Sequence, residues 1–484
     1  MADAVIPIGR MLAVSAKVQC SAVFVSGRDP EEAFANSAPS ALHALQLPEV
    51  LRAAMDWTLD RAARRVDMRL GLSTDVAARL VEAYRAAFPE FEADWAREIR
   101  RLADLGEVVR SARHIGDQGC VIVPENDEPD LRFDPVALQR GPAASAGWLP
   151  VSMLGPAPDE NAFARVGRVI DGALSEGDAW HAAILVAHHG HLVGEGYGKG
   201  IDADMPLESW SMGKSVMSTL IGLLVGRGAL DLDAPAPVAA WQTDGDPRRR
   251  ITLRHLLTMS SGLRCTGYQE PRANWSDNMP EHFHPYTEAI DVARFATERP
   301  AEVTAGKIGR YRNCDPLTLA TIFDERVRAL GGIPQSFPQT ELFTPLGMHG
   351  LTHETDRWGR FIISGFNYGT ARDWARLGHL YLHDGVWDGK RILPEGWVDF
   401  VRDPAPAWEE GNYGGQFWLN TDGEYPLPRD TFYMAGGGGQ FVFVVPSHDL
   451  VIVRQGHSRG WAESKPNVKA LLAKLLEAIG LTPA

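Results

Sequence analysis

The hydrophobic pattern divides the chain into two parts of unequal length. Apolar residues recur at helical spacing over 51–66 and 74–105, with charged residues on the opposite face, which predicts amphipathic helices. A stretch rich in proline, glycine, alanine and serine over 141–158 then interrupts the pattern and is typical of a domain boundary. We therefore expect an appended N-terminal helical region over 1–145 and a second domain over 146–484.

The second part mixes helices with short strands. The predicted elements are a helix over 161–175, paired strands over 182–187 and 191–197, further strands over 441–446 and 450–453, and a last helix over 467–479. The turn of the first hairpin carries His188, His189 and His191, which are more typical of a solvated turn than of a metal site. This order of elements indicates a mixed helix-and-sheet domain.

Composition and charge limit the kinds of molecule that the protein is expected to bind. The chain has 484 residues, a formal net charge of −14 and 45% hydrophobic residues. An acidic chain of this kind is a poor match for nucleic acid or an anionic membrane surface, and no apolar run reaches the length of a membrane span. We expect a small-molecule or short-oligomer substrate, with a homodimer as a candidate assembly.

The N-terminus and the cysteines bear on the cellular compartment. Short apolar pieces interrupted by Lys17 match neither a signal peptide nor a lipobox, so we expect a cytoplasmic protein, or a periplasmic one if an upstream signal was removed. Four cysteines lie far apart without a Cys-x-x-Cys pair: Cys20, Cys120, Cys265 and Cys314. We expect buried free thiols, with a Cys20–Cys120 disulfide as the alternative for an exported protein.

The most informative stretch is 209–216, where Ser211 and Lys214 form a Ser-x-x-Lys motif at the start of an apolar helix. Three residues make just under one helical turn, so the lysine amine can approach the serine hydroxyl. A desolvated lysine has a lowered pKa and can act as the base that a serine nucleophile needs. The motif alone is also compatible with a serine N-cap followed by an exposed lysine.

Two later stretches favour the catalytic interpretation. About 100 residues after Ser211, Tyr311 and Asn313 open another apolar helix, and a phenol beside a lysine can relay a proton. The run 436–439 consists of four glycines that enter a buried strand, which lets backbone N–H groups approach a carbonyl oxygen as an oxyanion hole requires. A plain glycine-rich turn is the alternative.

A polar and aromatic loop lies between these motifs. Its composition suits the lining of a substrate cleft, and its candidate residues are Tyr268, Trp275, Asn278, His282 and His284. His255, on the apolar helix before this loop, is more typical of a packed and hydrogen-bonded histidine than of a catalytic base.

With these motifs in this order, residues 146–484 resemble the serine β-lactamase and penicillin-binding superfamily. The similarity is to its β-lactamase-related branch, which comprises class C-like enzymes, family VIII esterases and 6-aminohexanoate-oligomer hydrolases. Further support comes from the His255–Leu263 signature, Val386-Trp387-Asp388-Gly389 and Pro394-Glu395-Gly396-Trp397. The resemblance implies an α+β fold: an antiparallel sheet flanked by the terminal helices, plus an all-helical half, with the site between them.

The resemblance also implies roles for individual residues. Ser211 would be the nucleophile, Lys214 its base and Tyr311 the proton relay to the leaving group. The backbone N–H groups of Ser211 and Gly437 would form the oxyanion hole. Candidate substrate contacts are Asn313, which could instead position Lys214, together with Tyr268, Gly436 and Gly438. This chemistry needs no metal or organic cofactor.

One departure from the family narrows the expected activity. The third family motif is Lys-Thr-Gly or His-Thr-Gly, whose cation holds a substrate carboxylate, whereas this chain has Met434-Ala435-Gly436 there. We therefore expect an amidase or esterase acting through an acyl-serine, in preference to a β-lactamase or D-amino-acid peptidase. Arg310 or Arg312 could supply a substitute charge. A non-catalytic binding or scaffold protein of the same fold is the remaining alternative.

Overall fold

The N-terminal region combines helices with a small antiparallel sheet. The computed structural model describes residues 8–40, 49–71, 73–87, 99–100, 103–104, 106–126, 130–140, 148–177, 179–267, 270–271, 274, 279–460 and 464–484. In chain order its first elements are α1 (Ile8–Phe24), α2 (Pro30–Asn36), α3 (Glu49–Ala54), β1 (Met55–Asp60), β2 (Arg65–Gly71), α4 (Thr74–Ala87), β3 (Glu107–His114) and β4 (Cys120–Ile122). The four strands form one sheet in the order β1-β2-β3-β4.

The predicted helix over 51–66 is wrong, because most of that stretch forms β1 and the start of β2. Along β2, Val66, Met68 and Leu70 are buried and alternate with more exposed residues, the period of two that a half-buried strand requires. The second predicted helix is confirmed as α4, and much of the remaining stretch to 105 lies outside the described residues. The N-terminal region is therefore not purely helical.

Helix α1 is the central element of this region. Of its 17 residues, 15 are buried, including the polar Ser15, Lys17 and Gln19. A helix surrounded on all sides carries apolar residues on every face, so it lacks the amphipathic pattern that marks a surface helix. For this reason the apolar stretches at the N-terminus do not show the periodic pattern that predicts a helix.

The second part contains the larger sheet and most of the helices. Its helices are α5 (Glu160–Ser175), α6 (Gly213–Gly226), α7 (Leu253–Leu257), α8 (His284–Thr287), α9 (Val292–Thr297), α10 (Cys314–Ala329), α11 (Thr344–Leu346), α12 (Ala371–Leu382), α13 (Trp397–Arg402) and α14 (Ser464–Ala478). Its strands are β5 (His181–His188), β6 (His191–Tyr197), β7 (Leu207–Glu208), β8 (Thr352–His353), β9 (Asn367–Gly369), β10 (Val386–Trp387), β11 (Lys390–Arg391), β12 (Trp418–Leu419), β13 (Phe432–Gly436), β14 (Gln440–Val445) and β15 (Leu450–Gly456).

Six strands form the main antiparallel sheet, in the order β12-β13-β14-β15-β5-β6. On one face α5 and α14 bury Val166, Ile170, Leu472 and Leu476 against the sheet. On the other face α12 packs against the central strands, and the apolar helix α6 lies in the same core. The predicted hairpins and terminal helices are confirmed within a few residues, as is the α+β class.

The remaining helices cover the second face of the sheet. Two small sheets, β7-β9-β8 and β10-β11, connect parts of this helical half. The short strand β7 leads directly into the Ser-x-x-Lys segment, and β13 ends in the glycine run. Among the described residues, no helix is long and apolar enough to cross a bilayer.

Candidate active site

Ser211 lies in a short 3-10 turn, Trp210–Met212, that continues into α6. Lys214 is in the first turn of that helix, and its Nζ lies 2.7 Å from Ser211 Oγ. The structure therefore forms the serine–lysine contact that the spacing predicts. Trp210, immediately before the serine, has a φ of 47°, a left-handed backbone conformation that is unfavourable for a bulky residue.

The environment of Lys214 favours the neutral amine. Its side chain is buried, and this burial lowers its pKa well below the ordinary value of 10.5. Nζ also donates to the backbone carbonyl of Ser364 at 2.9 Å, and the Ser211 hydroxyl lies 3.3 Å from the same oxygen. The Ser364 carbonyl thus orients both members of the pair.

Tyr311 lies on the other side of the lysine. The Lys214 Nζ is 4.8 Å from the centre of the half-buried tyrosine ring. The ring is surrounded by other aromatic side chains, with centroid distances of 5.3 Å to Trp418, 6.1 Å to Tyr413 and 6.1 Å to His282. The structure therefore brings together the three residues predicted to carry the chemistry.

Asn313, two residues after Tyr311 in the chain, is fully buried. Its side-chain amide donates to the backbone carbonyl of His282 at 2.7 Å. Burial, and secondarily the charges of Lys214 and Arg312, lower the pKa of His282 well below its ordinary value, which favours the neutral imidazole. A role of Asn313 in contact with substrate remains a prediction.

Sequence reasoning missed two contributors to the site. Tyr286 is buried beside Ser364 and Asn313, and burial raises its pKa well above the ordinary value. It lies just after the polar and aromatic loop and shares its composition, a signal that could have identified it. Ser364 contributes a backbone carbonyl, for which no side-chain pattern exists.

The glycine run forms the turn between β13 and β14. A Cβ on Gly436 would lie 2.1 Å from the carbonyl oxygen of Ser209, so the end of β13 lies directly against the segment leading to Ser211. Gly437 is half-buried in the turn, and Gly438 and Gly439 have φ values of 78° and 76°. The glycines thus permit both a close backbone approach and left-handed turn residues.

A buried arginine, Arg454, stabilises this turn through hydrogen bonds to its backbone carbonyls. The Nη1 of Arg454 donates to the carbonyl oxygens of Gly438 and Gly439 at 2.8 and 2.7 Å. Its Nε also donates to His181 Nδ1 at 3.0 Å, and burial lowers the arginine pKa to about 9. Sequence reasoning did not identify Arg454, because an arginine in the middle of an apolar strand carries no catalytic signature.

Two other predicted contributors do not join the group. Arg310 forms an ion pair with Glu302, at 2.8 Å, and the buried Arg312 donates to the backbone carbonyl of Leu263. Both guanidinium groups therefore have partners elsewhere. Tyr268 lies outside the described residues, as do Trp275 and Asn278.

The cysteine prediction needs a correction. Cys265 and Cys314 form a disulfide, whereas Cys20 and Cys120 are free and buried. The expectation of free thiols is therefore wrong for the first pair, and the alternative Cys20–Cys120 bond is absent. Cys314 immediately follows Asn313, so the disulfide attaches the Tyr311–Asn313 segment to the chain that follows α7.

Comparison with known proteins is consistent with this geometry. Residues 166–477 match the Beta-lactamase family model. The 6-aminohexanoate-dimer hydrolase of Paenarthrobacter ureafaciens is 25% identical over 323 residues, which cover 61% of this chain and 79% of that protein.

Solved structures show the same fold. A putative 6-aminohexanoate-dimer hydrolase from Bacillus anthracis superposes with a TM-score of 0.52 and 21% identity, covering 69% of this chain and 90% of its own. A putative β-lactamase from Bacteroides dorei gives a TM-score of 0.52 at 19% identity, with coverage of 67% and 100%. The chain therefore belongs to the Beta-lactamase family and is a hydrolase of the β-lactamase-related fold.

Proposed function

We propose that this hydrolase cleaves an amide or ester bond through an acyl-serine intermediate, with Ser211 as the nucleophile and Lys214 as its base. The observation that carries the proposal is the 2.7 Å contact between the Ser211 hydroxyl and a buried lysine of lowered pKa. A neutral amine at hydrogen-bond distance can accept the hydroxyl proton as the serine attacks.

The reaction proceeds in two halves. Ser211 Oγ attacks the carbonyl carbon while its proton moves to Lys214 Nζ, and the tetrahedral intermediate collapses with cleavage of the C–N or C–O bond. Tyr311, whose ring lies against Lys214, relays a proton to the departing amine or alcohol. Water then attacks the acyl-serine, one of its protons passes to Ser211 Oγ as the ester C–O bond breaks, and the carboxylic acid is released.

The oxyanion of each intermediate requires backbone donors. We assign this role to the N–H groups of Ser211 and Gly437, and the close approach of Gly436 to Ser209 supports the assignment. Each preorganised donor of this kind lowers the activation barrier by roughly 3 kcal/mol.

The substrate that fits best lacks a carboxylate beside the scissile bond. In place of the usual cation the chain has Met434, which is buried, and Arg310 and Arg312 have partners elsewhere. We infer an amide or ester with no carboxylate adjacent to the scissile bond, such as a short linear amide oligomer, in line with the name of the Paenarthrobacter relative. Asn313, Tyr268, Gly436 and Gly438 are the proposed substrate contacts.

A hydrolysis screen tests the proposal. Wild type and Ser211→Ala are compared on short p-nitrophenyl esters, linear and cyclic amide oligomers, and nitrocefin. We expect ester or amide turnover that disappears in the variant, with little nitrocefin turnover. Rapid nitrocefin hydrolysis would refute the inference about the missing cation.

Covalent labelling separates a nucleophilic serine from a structural one. A serine-directed phosphonate should label wild type and not Ser211→Ala. Ser209→Ala is the matched control, because the buried Ser209 hydroxyl donates to the Leu207 carbonyl at 3.0 Å, so the label should be retained. Labelling of Ser211→Ala at an unchanged rate would contradict the assignment of the nucleophile.

A further inference from the structure

The N-terminal region lies outside the matched family segment, yet its contacts end close to the catalytic pair. Arg28, between α1 and α2, is 2% exposed and donates from Nη1 to Glu208 Oε2 at 3.0 Å. The hydroxyl of Ser37 donates to the other oxygen of the same carboxylate. Glu208 ends β7, three residues before Ser211.

The contact continues to the residue next to the nucleophile. Ser458 Oγ donates to Glu208 Oε1 at 3.3 Å and accepts the indole N–H of Trp210 at 3.2 Å. The Glu208 carboxylate, fixed by Arg28, therefore fixes the Trp210 ring through one hydroxyl group.

A second buried ion pair reaches the segment that holds Lys214. Lys17 of α1 donates from Nζ to Glu354 Oε2 at 2.6 Å, and both side chains are at most 1% exposed. Glu354 Oε1 accepts the Ser21 hydroxyl at 2.8 Å and the Cys120 N–H at 2.7 Å. The lysine amine also lies 4.2 Å from the centre of the Phe366 ring.

Glu354 and Phe366 flank the carbonyl that orients the catalytic pair. The backbone N–H of Glu354 donates to the Phe366 carbonyl at 3.0 Å, and the Glu354 carbonyl accepts the N–H of Ile362 at 3.0 Å. The backbone hydrogen bonds to Ile362 and Phe366 lie on either side of the turn that contains Ser364, whose carbonyl accepts from Lys214. The second ion pair thus fixes the backbone on the far side of the site.

The two backbone segments are also joined to each other. Asn367 donates from Nδ2 to the carbonyls of Trp210 and Ile363 at 3.0 and 2.9 Å, and its own carbonyl accepts the Ser209 N–H at 2.8 Å. A shift of either segment would therefore change the geometry of Ser211 relative to Lys214.

The backbone at Trp210 needs such external support. A left-handed conformation of a non-glycine residue costs about 1–3 kcal/mol and persists only where surrounding contacts impose it. Trp210 is 3% exposed, and its ring lies 5.7 Å from Phe366 and 6.0 Å from Tyr286 in the core that α1 completes.

We propose that the N-terminal region is a positioning element for the catalytic serine, acting through the buried Arg28–Glu208 and Lys17–Glu354 pairs. The inference rests on the proposed function, since it takes Ser211 as the nucleophile. Arg28, Lys17, Glu208 and Glu354 are positioning residues that do not touch substrate. Loss of a pair should slow acylation and leave substrate affinity almost unchanged.

The test measures acylation directly. The full-length chain is mixed with a p-nitrophenyl ester, and the maximal burst rate, the substrate dissociation constant Ks and the number of phosphonate-titrated active sites are determined for Arg28→Met, Arg28→Lys, Ser37→Ala and Lys17→Met. We expect Arg28→Met and Lys17→Met to lower the maximal burst rate per titrated site at least tenfold, with Ks, taken from the substrate dependence of the burst rate, within about twofold. Ser37→Ala should give a smaller decrease, and Arg28→Lys should recover most of the rate.

A remote arginine serves as the matched control. Arg248 forms an ion pair with Asp246 at 2.7 Å and donates to the carbonyls of Thr297 and Arg299, none of which belongs to the site. Arg248→Met should keep the wild-type burst rate per titrated site, whatever its effect on thermal stability.

The possible results distinguish failure of the positioning role from failure of the proposed function. Wild-type burst rates per site in all four variants, or equal losses in Arg248→Met, would overturn the positioning role. If Arg28→Met does not fold, Ser37→Ala decides alone, since it removes the hydroxyl that bonds both Arg28 and Glu208 and retains both charges. Persistence of turnover in Ser211→Ala would instead overturn the proposed function, whereas an inactive Ser211→Ala with normal Arg28 variants would overturn only this inference.

Discussion

At the scale of single residues, the proposed mechanism depends on keeping the Lys214 amine uncharged. Lys214 has hydrogen bonds to Ser211 and the Ser364 carbonyl, and the Tyr311 ring covers its other side. An isolated ammonium in such a buried place is costly, so burial shifts its equilibrium toward the neutral base. The same amine would be protonated, and inactive as a base, on an exposed helix.

This electrostatic argument predicts the pH dependence of catalysis. Because the proposed mechanism needs a deprotonated Lys214, kcat/KM should fall as pH drops through a lysine pKa that lies well below 10.5. Lys214→Arg should be inactive at every pH, since a guanidinium remains charged. The measurement is kcat/KM from pH 5 to pH 10. Substantial activity of Lys214→Arg with the wild-type profile would contradict the assignment.

The Tyr311 hydroxyl should matter according to the leaving group. An amine needs a proton to depart, whereas p-nitrophenolate leaves as a stable anion. Tyr311→Phe should therefore reduce amide hydrolysis by about 10²–10⁴-fold and p-nitrophenyl ester hydrolysis by less than about tenfold. Steady-state kinetics on matched esters and anilides of one acyl group check this. Equal losses on both substrates would contradict the proton relay to the leaving group and would indicate another role for the hydroxyl, since phenylalanine retains the ring.

At the scale of elements, the proposed oxyanion hole depends on the contact between β13 and the segment that leads to Ser211. The absence of a side chain at Gly436 allows the strand end to lie against the Ser209 carbonyl. Arg454 then fixes the following turn by binding the carbonyls of Gly438 and Gly439. Strand, turn and serine segment act as one unit.

Substitution of Gly436 tests this unit. Gly436→Ala would place a Cβ 2.1 Å from the Ser209 carbonyl oxygen, so β13 must move and carry the Gly437 N–H with it. We expect kcat to fall about 10²-fold or more. Gly167→Ala is the control, because that α5 glycine has open space around it and alanine favours a helix by about 1 kcal/mol. Unchanged kcat in Gly436→Ala would refute the oxyanion assignment.

The elements also show how far the sequence could be interpreted in advance. Helix α6, the strands β14 and β15 and the terminal helix α14 were predictable, because each carries one uninterrupted periodicity or apolar run. Helix α1 was not, since burial on all sides removes the polar face that marks a helix. The 51–66 stretch was misassigned because its few apolar residues fit helical spacing as well as alternation.

Within the site, the limit of prediction follows from the type of group. Side chains with reactive atoms and fixed spacing, Ser211 and Lys214, could be identified from the motif. The Ser364 carbonyl could not, because every residue has one and only the fold decides where it points. The Cys265–Cys314 bond likewise depends on the loop that brings two distant segments together.

At the scale of the whole molecule, the N-terminal region and the hydrolase domain share one apolar core. Residues of α1 and β2, such as Leu12, Val14 and Met68, pack in the same cluster as Trp210 and Phe366. A shared core of this kind makes the folding of the two parts interdependent. The domain boundary predicted near residue 145 is therefore a proposal about sequence organisation, and independent folding does not follow from it.

If the folding of the two parts is interdependent, α1 and the main antiparallel sheet should unfold together. In hydrogen exchange followed by mass spectrometry, peptides from α1 should show the same opening free energy as peptides from β15, because 15 of the 17 residues of α1 are buried and several of them belong to the common core. Peptides from the exposed turn after β10 (Val386–Trp387) should exchange earlier and provide the internal control for local opening. Early exchange of α1 with retained hydrolase activity would show that the N-terminal region unfolds alone, and it would remove the physical basis for its control of Ser211.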